Sequence, residues 1–453
     1  MANPTAGPVR SARLAAALAL LQVDQEGGYS NLVLNHILKS SGLSPQDGAF
    51  AGALFYGVLE RKLTLDFAIG RYSSKKLRAL SPQVLEILRL GFYQILYMDS
   101  VPDSAAVNES VRLTGALRVK SASGFVNAVL RAFLRDGGKL PPCKGNRMEK
   151  LQVRYSCPQW LIRMLMEEHG EENALGLLEH SLGRPPLYAR VNTTRISGHA
   201  LCERLRAEGV EAQEDPMVPG CITLRGTAAV EELEAFREGL FHIQDKSSQL
   251  CAWALDPQPG DRVLDLCAAP GSKSFTMLER MEGRGSVTSC DIFPEKVKKI
   301  QDGARRLGLA NIFPQQNDAT VENQELGVFS RVLCDVPCSG MGIIARKPEI
   351  KYKPEEELRE LPAIQAAILE NGCRHLEAGG VLVYSTCTVL RRENEAVTEA
   401  FLKKHPEMQP LPLPQELQKR VWGQYDPQRW QVTLFPQVAG TDGFFFAAMK
   451  KVR

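Results

Sequence analysis

The sequence predicts a multidomain chain: an all-α bundle, then a small α+β module, then an α/β domain built on a doubly wound parallel sheet. Three observations lead there. At 453 residues the chain is longer than one ordinary hydrophobic core organises. Residues 10–135 place apolar side chains at helical spacing throughout. From about residue 257 short apolar runs alternate with helical stretches, the pattern of strands buried on both faces of a parallel sheet. The composition, 44% hydrophobic and 24% charged, is that of a folded globular protein rather than a disordered or fibrous one.

The bundle opens with "RSARLAAALALLQ" (10–22), where two arginines precede eight apolar residues in the manner of a short leader peptide. Leu14, Leu18 and Leu21 fall at i, i+4 and i+7, and no small-residue cleavage site precedes the polar "QVDQEGG", so an amphipathic first helix is expected. No apolar run approaches the length of a membrane span. "SPQVLEILRLGFYQILYM" (81–98) has Ser81 as N-cap, Pro82 at the first helical position, and Val84, Leu88, Phe92 and Ile95 along one face. "SGFVNAVLRAFLRDGG" (123–138) is a further helix stopped by its glycine pair. "GGKLPPCKGNR" (137–147) reads as a linker. Residues 151–184 read as two short helices opening the second domain. After them come strand "LYARVNT", helix "SGHALCERLRAEG", strand "CITLRG", helix "VEELEAFREG" and strand "LFHIQDKSS", with one weakly marked strand near "EAQEDP". That β-α-β-β-α-β order is a ferredoxin-like module. The strands of the last domain are "RVLDLCA", "GSVTSCDI", "NIFPQQND", "RVLCDVP" and "GGVLVYST". The expected domains are 1–140, 151–250 and 251–453.

Charge and cysteine content narrow the class. Net charge is only +3, yet residues 1–150 hold 19 Lys+Arg against 11 Asp+Glu, which suggests a polyanion partner for the bundle. Lys75, Lys76, Arg78, Arg112, Arg118 and Lys120 are candidate phosphate contacts, although for each one alone a solvated surface residue is the favoured reading. The eleven cysteines form no C-x-x-C pair and no framework of spacings. This argues against a disulfide scaffold or a metal site and for a reducing, cytoplasmic setting.

The first strand of the α/β domain ends in "LDLCAAPGSKSFTMLERM" (264–281), a glycine turn directly before a helix, where backbone N–H groups face a ligand. Aligning Lys273 with the lysine of a nucleoside-triphosphate loop puts Cys267 and Ser272 where glycines are required. A dinucleotide fingerprint needs three glycines, and only Gly271 is present. S-adenosylmethionine or a plain β–α turn remains. Asp291 and Asp318 end the next two strands, where carboxylates reach a ribose and an adenine amino group, although one such Asp also suits a helix cap. The fourth strand ends in Asp335-Val336-Pro337-Cys338 and the fifth in Cys387. Two thiols at adjacent strand ends, with a carboxylate beside them, suit attack on a pyrimidine ring. Chance placement of buried cysteines is the alternative. A Cys–His hydrolase would need His375 or His405, which lack an evident orienting partner.

"DLCAAPGSKS", "DVPCSGMGIIARKPEIKY", "YSTCTVLRRENEAV" and "TDGFFFAAMKK" together resemble the successive motifs of RNA 5-methylcytosine methyltransferases. "VPDSAAVNESVRL" and "SGFVNAVLR" resemble a NusB-like RNA-binding bundle, and "RVNTTR" with "FHIQDKSSQL" resembles the linker module of the RsmB/Sun family acting on 16S rRNA. The resemblance implies a Rossmann-like class I methyltransferase domain using S-adenosylmethionine, with 16S rRNA as partner and no obligatory protein partner. It implies cofactor contacts from Cys267, Ala268, Ala269, Pro270, Gly271, Ser272, Lys273, Asp291, Asp318 and Asp335. It further implies Cys387 as nucleophile, Cys338 assisting release of the product, and Asp335 bonded to the cytosine edge. The following "RRENE", read as a helix start, and the cofactor's sulfonium would help Cys387 to ionise. Ser272 stands where the family usually has a second glycine, Cys157 where it often has a histidine, and Met341 where a small or polar residue is common. A different RNA target, or a non-catalytic RNA-binding role, is the competing expectation.

Overall fold

The protein, described by a computed structural model over residues 11–26, 30–226 and 229–452, folds into two compact units. One comprises the chain up to Gly183 together with Ile344–Lys353; the other comprises Arg184–Ile343 and the chain from Pro354 onward.

The helical unit contains Ala12–Glu26, Ser30–Ser41, Pro45–Tyr72, Pro82–Tyr97, Asp103–Ala116 and Ser123–Arg135. Ser81 caps its helix as its position predicts, accepting the Val84 N–H with Pro82 behind it, and Ser44 does the same for Asp47. Phe92 stacks on Phe133 with ring centroids 4.5 Å apart among fully buried Leu54, Phe55, Ile69 and Ile87. Gly57 has no side chain because a Cβ there would fall 1.9 Å from the Tyr93 ring. The first helix is less amphipathic than expected. Ala15, Ala16, Ala17 and Ala19 are all buried, while Leu18 and Leu21 are half-buried. Its small side chains admit neighbours on several sides, and Arg10 lies outside the described residues.

Two helices expected to open the second domain, Arg147–Tyr155 and Gln159–His180, belong instead to the helical unit. The Leu63 N–H donates to Ser156 Oγ at 2.9 Å, and Thr64 Oγ1 donates to Val153 O at 2.5 Å. So does Ile344–Lys353, whose buried Lys351 donates from Nζ to Glu60 O at 2.9 Å and Tyr155 O at 3.3 Å. Tyr352 Oη donates to Leu59 O at 2.8 Å.

The second unit begins with strands β1 (Leu187–Val191), β2 (Glu211–Glu214), β3 (Cys221–Arg225) and β4 (Phe241–Ile243), in spatial order β2-β3-β1-β4 and antiparallel throughout. This is the ferredoxin-like order. Its second helix shrinks to a 3-10 turn, Val230–Glu232, and one helical turn, Glu234–Arg237. "DKSS" does not extend β4: Asp245 caps the helix Lys246–Ala254 by accepting the Ser247 N–H. The module is bonded into the larger sheet domain through buried groups. Arg190 pairs with Glu279 at 3.2 Å, and Asn192 Nδ2 donates to Gly239 O and Leu307 O.

The larger sheet contains β5 (Arg262–Asp265), β6 (Ser286–Asp291), β7 (Ile312–Gln316), β8 (Phe329–Asp335), β9 (Leu376–Thr386), β10 (Met408–Pro410), β11 (Gln431–Leu434) and β12 (Phe444–Lys451). The order is β10-β12-β9-β8-β5-β6-β7, with β11 pairing β12. The five predicted strands are parallel, but the sheet as a whole is mixed, because β12 runs antiparallel to β9 with Phe445 opposite Thr386. The run "FFFAAM" is buried on both faces, so no alternation marks its direction. Strand order reverses at β5, and the carboxyl ends of β5, β6 and β8 frame the crevice where such sheets bind ligands. Among the described residues no helix is long and apolar enough to cross a membrane.

Candidate active site

The chain leaves β5 through a turn containing the cis Ala269–Pro270 bond and reaches Gly271 at φ +106°, ahead of the helix Ser272–Arg280. A Cβ on Gly271 would meet the Phe275 ring at 2.5 Å, so both the backbone angle and the close approach demand glycine. Beside this turn is a cleft of about 320 Å³ bordered by Cys267, Ala269, Asp291, Asp318 and Asp335. Five of the residues expected at the cofactor are therefore brought together. Ala268, Pro270, Gly271, Ser272 and Lys273 form the turn and helix start without bordering the cleft. Asp291 Oδ1 accepts the Phe293 N–H at 3.1 Å and lies 3.7 Å from Lys296 Nζ. Asp318 Oδ1 accepts from the Thr320 N–H and hydroxyl.

Sequence reading missed three other parts of this cleft. Ile292 and Phe293 are large apolar residues left about half exposed at its border, and Ile364 and Ile368 add further apolar surface. Asn317 is buried there; its Oδ1 accepts from Asn323 Nδ2 at 3.0 Å, while its Nδ2 has no hydrogen-bond partner among the described residues. An orphaned buried donor is unfavourable unless a ligand accepts from it. Acids for ribose hydroxyls, a free amide donor and an apolar border for a planar ring fit S-adenosylmethionine. The apolar pair after Asp291 in "DIF" was the available signal; Asn317 had none.

Toward β8 and β9 the chemistry changes. Asp335 Oδ2 accepts from Lys273 Nζ at 2.7 Å, and its Oδ1 accepts from Ser385 Oγ at 2.8 Å. Burial opposes the charge on Lys273, but Asp335, Cys251 and Asp265 together hold the ammonium above the usual lysine range. Lys273, expected at the cofactor, is thus the partner of Asp335. Asp265, fully buried at the end of β5, has its carboxyl pushed up to about 7 by burial, against a hydrogen bond from Ser274.

The Cys338 and Cys387 sulfurs are 3.1 Å apart, each half-buried. The bond to Cys387 and burial raise the Cys338 thiol well above its ordinary value. The loops carrying them are joined by the Gly342 N–H to Cys387 O at 3.0 Å and by Ser339 Oγ to Thr388 Oγ1 at 2.8 Å. The expected helix start at "RRENE" is corrected: the helix is Glu395–Lys404, and turns fill the interval after Cys387. The residue before the helix, Asn394, is bonded to Thr386 and Thr388, the residues on either side of Cys387.

The remaining candidates separate from this site. Cys157 is buried in the helical unit. His405 bonds Glu370 and Glu407 through its two ring nitrogens, and His375 Nδ1 bonds Gly327 O. Cys373, His405 and Glu407 are the one group of metal-ligating types within mutual reach among the described residues. Lys75, Lys76, Arg78, Arg112, Arg118 and Lys120 are all exposed, with Arg112 paired to Glu109.

The sheet order, the cleft and the thiol pair together define a Rossmann-like methyltransferase domain. Residues 252–450 match the family model described as 16S rRNA methyltransferase RsmB/F, residues 10–135 the NusB family, and residues 157–231 the RsmF/B-like ferredoxin-like domain. The chain is 38% identical to the probable ribosomal RNA small subunit methyltransferase B of Bacillus subtilis, over 97% of this chain and 99% of that one. It is 31% identical to the ribosomal RNA small subunit methyltransferase B of Serratia proteamaculans, over 97% and 98%. A methyltransferase homolog protein from Pyrococcus horikoshii superposes with a TM-score of 0.57 at 27% identity, covering 68% of this chain and 99% of that one. The chain belongs to the RsmB/F family of 16S rRNA methyltransferases.

Proposed function

We propose that the protein transfers a methyl group from S-adenosylmethionine to carbon 5 of a cytosine in 16S rRNA through a covalent adduct on Cys387. The observation that carries this reading is the pair of sulfurs 3.1 Å apart beside Asp335. Carbon 5 of cytosine is a poor nucleophile, and addition of a thiolate to carbon 6 makes it enamine-like. In this reading the proton shared by the two sulfurs sits on Cys338, and Cys387 is the thiol that attacks. The S–H of Cys338 then supports the Cys387 thiolate. Asp335, held in place by Lys273 and Ser385, accepts a hydrogen bond from the cytosine amino group and fixes the ring over the thiols. The bound cofactor supplies the electrophilic methyl group. The carbon 5 proton then passes to solvent water and Cys387 leaves carbon 6 as a thiolate, with the S–H of Cys338 stabilising the departing sulfur. The target cytosine must be unpaired or taken out of its stack for a thiol to reach its carbon 6.

Replacing Cys387 by Ala should abolish methylation, whereas Cys338→Ala should leave enzyme joined to RNA, seen as a denaturation-resistant band on gels. Exchanged phenotypes would assign the attack to Cys338. Bisulfite mapping of RNA treated in separate small-subunit, large-subunit and transfer-RNA pools tests the substrate. Modification confined to either of the latter pools would displace 16S rRNA.

A further inference from the structure

Glu393 takes no part in the mechanism above, yet its side chain connects both thiol loops. It lies fully buried in the turn after Cys387. Its Oε2 accepts two hydrogen bonds, from the Ser339 backbone N–H at 2.9 Å and from Gln365 Nε2 at 2.9 Å. Gln365, buried on the helix Leu361–Arg374, also donates to Pro337 O at 3.0 Å. Pro337 and Ser339 flank Cys338, so one carboxylate and one amide grip the Pro-Cys loop on both sides of its thiol. Glu393 is itself anchored to β9, because the Tyr384 hydroxyl donates to Glu393 O at 2.5 Å.

Packing alone does not account for a carboxylate here. Its second oxygen, Oε1, is buried and has no hydrogen-bond partner among the described residues. A buried acceptor left unmade is unfavourable, so hydrogen bonding to its two oxygens does not by itself account for the carboxylate. The residue it holds, Ser339, directly follows Cys338.

We infer that Glu393 is the positioning residue of the thiol pair: its carboxylate seats the Cys338 loop against Cys387, and its negative charge keeps the proton on Cys338. Among the described residues, Cys387, Glu393 and Tyr384 act on or face Cys338. Cys387 and Glu393 both oppose a Cys338 thiolate, and of the two Glu393 alone remains when Cys387 is absent. The inference rests on the division of roles proposed above, in which Cys387 attacks.

The test uses the full-length protein without RNA or cofactor. Alkylation by iodoacetamide is followed across pH, and the Cys338 peptide is read by mass spectrometry. In a Cys387→Ser background, Glu393→Gln should lower the pH midpoint of Cys338 alkylation by about one unit, the scale on which a neighbouring charge moves a partly buried group. Glu393→Asp, which retains the charge, should keep the midpoint close to that of the background. An unmoved midpoint in Glu393→Gln overturns the inference. Should that variant fail to fold, Gln365→Met serves in its place. It removes one grip on the loop, and Cys338 alkylation at fixed pH should accelerate about fivefold or more as the loop loosens; an unchanged rate overturns the inference equally. With both cysteines present, Glu393→Gln should lower kcat about tenfold with the KM for RNA unchanged, as expected of a group acting only on the chemical step. Failure of the methylation reading is seen separately, as absence of 5-methylcytosine from RNA treated with the parent protein.

Discussion

Lys273 and Asn317 show how neighbouring side chains in one crevice divide their work. Lys273 stands in the turn that the sequence assigns to the cofactor, but its ammonium is bonded to Asp335 at 2.7 Å. Lys273→Met should therefore lower kcat about tenfold or more while leaving the Kd for S-adenosylmethionine within about threefold, as measured by calorimetry. Asn317 is the opposite case, with a free buried amide donor facing the cleft. Asn317→Ala should weaken cofactor binding about tenfold, the value of one hydrogen bond near 1.4 kcal/mol. Its effect on kcat at saturating cofactor should be small. Gly271→Ala combines a strained positive φ with a clash against Phe275, and a loss of about 1–3 kcal/mol in denaturant melts is expected.

Among the elements, Ile344–Lys353 is the least expected. It follows the Pro-Cys loop in sequence, and "IARKPEIKY" belongs to the motif that resembles the methyltransferases, yet the segment packs in the helical unit. Lys351 is fully buried, and burial pushes its ammonium down to about 8, against the pull of Cys157 and Glu60. The unfolded chain holds that proton up to about 10.5, so between about 8 and 10.5 unfolding takes up a proton. Stability then rises with pH across this window, because the folded state prefers the neutral amine. Lys351→Met should abolish that rise in urea melts, and an unchanged slope would show that another group titrates there. The antiparallel β12 makes a similar point. Its residues read like a buried parallel strand, and only the register against β9 reveals the direction.

For the whole molecule, the division into two units carries a consequence for truncation. A chain beginning at Arg184 would retain Ile344–Lys353 without the helices that bury Ile350, Lys351 and Tyr352. Its soluble yield should fall well below that of the full chain, and Ile350→Ser with Tyr352→Ser should recover part of it; sedimentation after expression measures both. Removal of an exposed apolar patch is the physical basis of that recovery.

Local pattern was enough for the three-part architecture, the five parallel strands and the placing of Asp335, Cys338 and Cys387 at strand ends. Each of these depends on periodicity, or on where a strand must end, and both are properties of neighbouring residues. The four successive motifs were enough for the family. Tertiary structure decided the rest: that Arg147–His180 packs within the helical unit, that Lys273 serves Asp335, that Asn317 faces the cleft, and that the Cys387 sulfur lies against that of Cys338. These outcomes rest on contacts between residues tens to hundreds of positions apart, and which long-range contact forms is settled by packing and by the pairing of buried polar groups.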